Sequence, residues 1–156
     1  MYCRCGSVSK AREVFDSVME PNVVTWTTMI SGYAMNGYGR EALELFQLMQ
    51  RHGFFPNDVT FVAVLAACSH SGLVQEGREV FKQMKNFGVT PGLEHHVCMV
   101  DMLGRTGLLD EAFQYIMDLY PNASAPPLWT ALMGACKTHR NYVIGVQAAE
   151  YLLSIE

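Results

Sequence analysis

The residues of this chain that could do metal chemistry are two short pairs, Cys3-x-Cys5 and His95-His96. Zinc sites built from cysteine pairs need two intervening residues and a second pair of ligands, and Cys3-x-Cys5 has neither. His95 and His96 fall on a predicted helix, where neighbouring side chains point about 100° apart and do not easily bind one ion together. We therefore predict no metal site and no cofactor.

The five cysteines show no disulfide framework. Their number is odd, and they stand at unrelated places in the sequence: Cys3, Cys5, Cys68, Cys98 and Cys136. This pattern favours reduced thiols in a non-secretory compartment. The sequence also contains no glycine-rich phosphate loop and no nucleophile with a partner base. We therefore predict that the chain is not an enzyme.

Composition and charge limit the partners. Half of the residues are hydrophobic and 17% are charged, which is typical of a well-buried fold. The formal net charge of −4 argues against strong non-specific binding to phosphates. The longest apolar run, from Val59 to Cys68, is too short to span a bilayer, so we expect no membrane partner. Met1 and Tyr2 stand inside a repeated pattern, so no targeting segment is visible and we expect a cut through a longer chain.

The elements that must position any site are repeats of 31 to 35 residues. Gly37, Gly72 and Gly107 are 35 residues apart, and Gly6 stands 31 residues before the first of them. A ring-bearing residue stands eleven places before each of the later three glycines: Trp26, Phe61 and His96. A small residue stands five places after each of the four glycines: Ala11, Ala42, Gly77 and Ala112. Arg140 marks a fifth copy. A unit of this length cannot bury its own apolar face, so the copies must stack.

Each copy is predicted to form two helices. Val24–Asn36 has apolar residues at helical spacing and ends at Gly37, which adopts a left-handed conformation at little cost. Its partner, Gly39–Arg51, is ended by Gly53 and Pro56. The same pattern predicts three further pairs: Asp58–Ser71 with Leu73–Phe87, Leu93–Thr106 with Leu108–Tyr120, and Leu128–Thr138 with Tyr142–Ile155. The predicted fold class is all-α, a right-handed α-solenoid of helix-turn-helix repeats of about 31–35 residues.

Two families share this architecture, the tetratricopeptide and the pentatricopeptide repeats. The tetratricopeptide pattern has a 34-residue period and a Leu-Gly-x-x-Tyr run, whereas the period here is 35 and variable and that run is missing. The segment from Val23 to Tyr33, VVTWTTMISGY, resembles the opening of a plant pentatricopeptide repeat. Its continuation through Gly37, Phe46 and Asn57 matches the rest of such a repeat. This resemblance covers essentially the whole chain.

The order of the units resembles the PLS subclass of that family, which mixes long and short repeats. The resemblance divides the chain into the second half of a short repeat (1–22), a standard repeat (23–57), a long repeat (58–92), a short repeat (93–124) and a truncated E-motif helical pair (125–156). The last assignment depends on the run from Trp129 to Cys136 and on the residues that follow it. The resemblance therefore implies a C-terminal fragment that ends within the E motif.

Helical repeats of this kind read single-stranded RNA, one base per repeat, through two or three side chains. The resemblance places the reading side chains at the fifth and last positions of the standard repeat, Thr27 and Asn57, in a combination similar to the one that prefers adenine. A hydroxyl on the first helix and an amide in the loop both reach a base edge on the concave face. Val24 and Val59 are expected to pack the base from either side. A place for Thr27 or Asn57 in the helix-packing core would contradict this assignment.

The same register gives weaker candidates for RNA contact. They are Asn22, Val97, Asn122, Ser124, Arg4 and Arg105. Val62 and Gly92 occupy the reading positions of the long repeat, and neither specifies a base by hydrogen bonding. Without the family register, Thr27 is a solvated helix hydroxyl and Asn57 is a turn former after Pro56.

The resemblance implies sequence-specific binding of single-stranded RNA as part of an organelle C-to-U editing factor. Editing proteins of the family often end in a deaminase-like domain, whose zinc chemistry needs H-x-E and P-C-x-x-C, and neither motif occurs here. The implied partners are organelle RNA, proteins bound through the E region and the long repeat, and a second copy bound through exposed solenoid ends. The implied location is a plant mitochondrion or chloroplast. The alternative is a helical-repeat scaffold that recruits editing or other RNA-processing partners.

Overall fold

The computed structural model describes residues 22–119 and 125–154, and this part of the chain forms eight α-helices and no strand. The helices make four consecutive pairs: α1 Val23–Met35 with α2 Gly39–Arg51, α3 Asp58–Ser71 with α4 Val74–Asn86, α5 Leu93–Arg105 with α6 Leu109–Leu119, and α7 Pro126–Thr138 with α8 Tyr142–Ser154. The predicted all-α fold is confirmed. Helix α7 begins two residues earlier than expected, because proline is accepted in the first turn of a helix.

Several expectations fall outside the described residues. They concern the half repeat before residue 22, the cysteine pair Cys3 and Cys5, and three of the weaker candidates for RNA contact, Arg4, Asn122 and Ser124. These stay predictions.

Asparagine side chains start the first helices of two repeats. Asn22 and Asn57 are the N-cap residues of α1 and α3, and each Oδ1 accepts the backbone N–H three residues on, from Thr25 and Thr60, at 3.0 Å. Each threonine hydroxyl also accepts the backbone N–H of its asparagine. Such reciprocal bonds satisfy N–H groups that the helix itself leaves without partners.

One left-handed residue closes each turn between the two helices of a pair. Gly37, Gly72 and Gly107 have φ of 80°, 68° and 82°, and Arg140 takes the same place in the last pair with φ of 55°. Glycine adopts this conformation without a Cβ clash, whereas a residue such as arginine is strained there by about 1–2 kcal/mol. The last pair therefore carries strain that the other three avoid.

We expect Arg140→Gly to stabilise the protein. The relief of backbone strain is partly offset because glycine gains entropy in the unfolded chain, which leaves a net gain of roughly 0.5–1 kcal/mol. Thermal unfolding should show a melting temperature about 2–4 °C higher. Arg140→Ala is the control, since it removes the same charge and keeps the strain. A glycine variant no more stable than the alanine variant would show that the turn is not strained.

The helices form two layers. The first helices of the pairs pack side by side in one row, α1 on α3, α3 on α5 and α5 on α7. In the described part of the chain, the backbones of α2 and α4 lie farther apart than those of the first helices, and so do the backbones of α4 and α6. Ion pairs span these wider gaps, from Arg40 Nη2 to Glu76 Oε2 at 3.6 Å and from Arg78 Nη2 to Glu111 Oε2 at 2.7 Å. Because the first helices lie closer together than the second helices, the stack curves so that the first helices line its concave face.

The core follows the seam between the two layers. Phe46 and Phe61 join the first two pairs, with their rings 5.5 Å apart and nearly perpendicular. The small positions that the repeat pattern predicts lie where helices approach closely: Ala42 is fully buried, and a Cβ on Gly77 would overlap the sulfur of Met102. Burial is thus continuous from one pair to the next, as stacked repeats require.

The described helices are all too short or too polar for a bilayer span. Within residues 22–119 and 125–154, no three histidine, cysteine, aspartate or glutamate side chains stand close enough to share a metal ion.

Candidate nucleic-acid interface

The structure brings Thr27 and Asn57 together through a third side chain, Thr60. Thr27 extends from α1, and Asn57 stands in the loop before α3. The hydroxyl of Thr60 lies 2.8 Å from Thr27 Oγ1 and 3.0 Å from Asn57 Oδ1. One hydroxyl therefore links both candidate reading residues.

The four side chains of the candidate site differ in exposure. Val24 and Val59 are 70% and 59% exposed, although both are apolar, and Asn57 is exposed as well. Thr27 is only 8% exposed, because α1 packs closely on α3 at this point. Its hydroxyl lies 2.8 Å from the hydroxyl of Thr60, which is completely buried. Thr27 is thus buried between the two helices and is not the solvated helix hydroxyl that is expected without the family register.

Thr60 is the polar residue of this site that the repeat register did not identify. It is completely buried, and it lies in the first turn of α3. A signal for it was present in the sequence, since Asn57-x-x-Thr60 has the spacing of a reciprocal helix cap and repeats Asn22-x-x-Thr25. The cap fixes the start of α3, and its hydrogen bonds also use the side-chain oxygen of Asn57, one of the two candidate reading residues.

The weaker candidates within the described residues are less well placed. Asn22 is exposed at the start of α1, where it caps the helix. Val62, Gly92 and Val97 offer no polar side chain, and both valines are half-buried. Only the junction between the standard and the long repeat therefore joins two polar reading positions in the described structure.

Arg105 is engaged by a neighbouring carboxylate. Its Nε donates to Asp101 Oδ2 at 2.8 Å, one turn earlier on α5, and Ser69 Oγ donates to the same oxygen at 2.6 Å. The carboxylate compensates much of the positive charge of the guanidinium, although about half of the arginine side chain is exposed. Arg105 should attract a phosphate only weakly.

A groove runs between α5 and α7 beside Arg105. It has a volume of about 570 Å³, and Thr130, Thr138 and His139 line its other side. Gly104 allows the two helices to approach, since a Cβ there would lie 2.6 Å from Ala135 Cβ. The groove thus has a mixed polar and apolar lining, in which the charge of Arg105 is compensated by Asp101.

The two adjacent histidines have structural partners. His95 Nδ1 accepts the Gly92 N–H at 3.0 Å, as Thr60 does for Asn57, and its Nε2 lies 3.0 Å from the carbonyl oxygen of Asp58. His96 Nδ1 lies 2.7 Å from the Tyr115 hydroxyl. Burial lowers the pKa of His96, and the nearby His95 lowers it further. Both rings therefore act in helix packing.

We expect the protein to lose stability as the pH falls below about 6.5, the ordinary pKa of histidine. The folded-state pKa of His96 is lowered, so the unfolded chain takes up the proton first and acid favours unfolding. Melting temperatures at pH 7.5 and 5.5 measure the loss. His96→Phe keeps a ring without titration and should show a smaller loss between these two values. An equal loss in both proteins would assign the pH dependence to other groups.

The cysteines of the described residues carry no reactive thiolate. Burial, with smaller contributions from Glu76 and Cys98, raises the pKa of Cys68 to about 12. Burial, with Asp101 and Glu94, raises the pKa of Cys98 to about 11. Burial also raises the pKa of Cys136. Neutral thiols are poor nucleophiles and poor metal ligands.

The comparison with known families agrees with this geometry. A sequence model described as the PPR repeat family matches residues 21–70, and one described as the PPR repeat matches residues 1–22, 59–89 and 95–119. The chain belongs to the pentatricopeptide repeat (PPR) family. The three segments of the second match fall in three different copies of the repeat that the glycine spacing defines.

Two Arabidopsis thaliana proteins are similar to this PPR chain over its whole length. The mitochondrial pentatricopeptide repeat-containing protein At4g19191 is 51% identical over 159 residues, which are 24% of that protein. The pentatricopeptide repeat-containing protein At5g66520 is 46% identical over 159 residues, or 25% of its length. The chain spans about a quarter of the length of these relatives.

Solved PPR structures have the same fold. The maize protein PPR10 superposes with a TM-score of 0.82 at 22% identity, over 98% of this chain and 23% of PPR10. PPR10 in complex with an 18-nt psaJ RNA element gives a TM-score of 0.66 at 25% identity, over 77% of this chain and 19% of that one. The PPR domain of Arabidopsis thaliana protein-only RNase P 1, in complex with tRNA, gives 0.73 at 17% identity, over 99% and 85%. The helical pairs therefore stack as in PPR solenoids.

Proposed function

We propose that this PPR chain binds single-stranded RNA and reads one base between Thr27 and Asn57. The observation that carries the proposal is the polar link between these two side chains beside two exposed valines. A flat base placed between Val24 and Val59 covers apolar surface that is otherwise in water. Its edge then meets the Asn57 amide and the recessed Thr27 hydroxyl.

Adenine suits such a pair. Its Watson–Crick edge carries an acceptor, N1, beside an amine donor, N6. The Asn57 amide can donate to N1, and the Thr27 hydroxyl can accept from N6. We infer from this match, and from the family combination that Thr27 with Asn57 resembles, that the standard repeat prefers adenine.

We further propose that the full protein is a specificity factor for C-to-U editing in a plant organelle. The organelle is supported by relatives whose names carry a location, mitochondrial for At4g19191 and chloroplastic for At4g18520. RNA binding is supported by the PPR10 and RNase P 1 structures, which contain RNA. The resemblance of the unit order to the PLS subclass, and of α7 and α8 to an E motif, supports the editing role. The chemistry of editing would come from residues outside this chain or from another protein.

Affinity of the chain alone should be low. It carries a net charge of −4, and Arg105, the basic candidate for RNA contact within the described residues, is compensated by Asp101. One reading pair contributes about 1–3 kcal/mol of discrimination between bases. Fluorescence anisotropy should show oligo(A) bound more tightly than oligo(U), with both weakened between 50 and 200 mM salt. Tight binding that ignores salt would contradict the proposal.

The test of base reading is Thr27→Asn in the full-length protein. The change replaces a hydroxyl by an amide and should move the preference at one nucleotide away from adenine, while binding to the other positions is retained. Helix propensity alone predicts that Thr27→Asn lowers the free energy of unfolding only slightly. Because the change also disturbs the hydrogen bond between Thr27 and Thr60, we expect a loss of about 1 kcal/mol. Thr27→Ser, which keeps the hydroxyl, is the matched control. Footprints or binding profiles on RNAs varied one base at a time measure the shift, and an unchanged profile excludes this repeat as a base reader.

A protein-interaction scaffold is the second candidate function, and one surface favours it. Helix α8 exposes an apolar stripe, formed by Tyr142, Val146 and Leu153 at helical spacing. Exposed apolar surface of this kind marks sites of association with proteins or with a second copy. Tyr142→Ser with Val146→Ser should then abolish partner recruitment or self-association in sedimentation experiments and leave RNA preference unchanged. On the base-reading proposal, Thr27→Asn should instead change the RNA preference and leave partner recruitment intact.

A further inference from the structure

We propose that Thr60 is a positioning residue, which fixes the hydrogen-bonding groups that Thr27 and Asn57 present to a base. The inference rests on the proposed base-reading function and deepens it. Thr60 is completely buried, so it does not itself touch RNA. It acts through its contacts with both reading residues.

The backbone of Thr60 sets the orientation of the Asn57 amide. An amide group can be turned over with little change in shape, so its orientation is decided by its partners. The Thr60 backbone N–H lies 3.0 Å from Asn57 Oδ1, and because this N–H only donates, the oxygen must face it. The Thr60 hydroxyl donates to the same oxygen at 3.0 Å. Both lone pairs of Oδ1 are then in use, and the NH₂ group is left for a ligand.

The hydroxyl of Thr60 sets the direction of the Thr27 hydroxyl. A hydroxyl has one hydrogen and two lone pairs. Thr60 gives its hydrogen to Asn57 Oδ1 and accepts the Asn57 backbone N–H at 3.2 Å. The remaining 2.8 Å contact is then a bond that Thr27 donates to Thr60. Thr27 keeps its lone pairs, and it faces a ligand as an acceptor.

The site thus presents a fixed donor, from Asn57, beside a fixed acceptor, from Thr27. A base edge that meets this pattern in the wrong order places donor against donor and leaves buried polar groups without partners. A free hydroxyl and a freely turning amide would adapt to either order. Because Thr60 fixes both groups, the pair Thr27 and Asn57 should accept only one order of donor and acceptor on the base edge.

Other junctions in the chain provide the comparison. Asn22 and Thr25 form the same reciprocal cap, with Thr25 Oγ1 3.1 Å from Asn22 Oδ1, so the cap recurs at a second junction. At the next junction His95 takes the place of Thr60, and the reading positions there are Val62 and Gly92. The bridging hydroxyl occurs at the described junction where both reading positions are polar.

The experiment compares Thr60→Val, Thr60→Ser and Thr25→Val in the full-length protein. Each variant is titrated with single-stranded RNAs in which one position at a time is A or U, and its thermal unfolding is recorded. Thr60→Val keeps the shape but removes the hydroxyl, and the ratio of A to U affinity should fall roughly tenfold at one position. Thr60→Ser should retain the ratio. Thr25→Val removes the equivalent cap, and it should lower the melting temperature similarly without changing the ratio at that position.

Thr60→His gives a second route if the valine variant does not fold. His95 occupies the equivalent place in the next repeat and accepts the Gly92 N–H, so histidine keeps the cap and removes the bridge. Its ratio of affinities should fall as for valine. An unchanged ratio in both variants, or an equal fall in Thr25→Val, would mean that Thr60 only caps its helix and would overturn the inference. A wild-type protein without base preference at any position refutes the proposed function itself.

Discussion

Replacing Phe61 with alanine is expected to lower the free energy of unfolding by about 3–5 kcal/mol. Phe61 is completely buried, and its ring lies 5.5 Å from that of Phe46 and 6.0 Å from that of Phe87. It therefore joins α3 both to the preceding pair and to the end of its own partner helix. The loss combines the transfer of the ring from water, the cavity left behind and the edge-to-face contact with Phe46. Urea unfolding followed by circular dichroism measures the change.

Phe55 provides the matched control. It is the same residue type six positions earlier, it also has a ring contact with Phe87 at 6.3 Å, and it is 75% exposed. Because Phe55→Ala removes little buried surface, it should cost less than about 1 kcal/mol. Similar costs for the two variants would mean that burial in the seam between the layers does not hold the pairs together.

The fold could be predicted because two simple features of the sequence determine it. Glycines at a fixed spacing mark the turns, and apolar residues at helical spacing mark the buried faces. The ring-bearing positions of the repeat illustrate this, since Trp26, Phe61 and Trp129 are all buried. Arg140 falls at the turn position of the last pair and adopts the left-handed conformation there, as the repeat pattern indicates.

The site could be predicted only in part, because a repeat register counts residues along the chain and gives no distance between neighbouring repeats. The register selected Thr27 and Asn57, but their contact with Thr60 depends on how closely α1 packs on α3. The same packing reduces the exposure of Thr27 to 8%. Likewise, the sequence presents Arg105 as a free cation, whereas the folded helix brings Asp101 within 2.8 Å of its Nε.

Trp129→Ala should cost about 3–5 kcal/mol, and the loss should be local. The Trp129 ring is stacked on Tyr151, with centroids 4.9 Å apart and planes 3° from parallel, and it meets the edge of Phe113 at 5.5 Å. These three rings tie α7 to α8 and to α6. The buried side chains of the described residues fall into two clusters, and Trp129 belongs to the second, whereas Phe61 belongs to the first.

Hydrogen exchange should therefore distinguish the two core variants. In a stack with nearest-neighbour coupling, the loss of one interface exposes that interface and leaves distant repeats folded. Trp129→Ala should accelerate exchange in α6 to α8 and leave α1 to α3 protected, and Phe61→Ala should accelerate exchange from α1 to α4. Trp129→Phe is the control, because it retains a ring against Tyr151 and should cost roughly 1–2 kcal/mol. A uniform loss of protection across all eight described helices in Trp129→Ala would show instead that the repeats unfold as one cooperative unit. The last helical pair and the reading junction would then have the same free energy of unfolding.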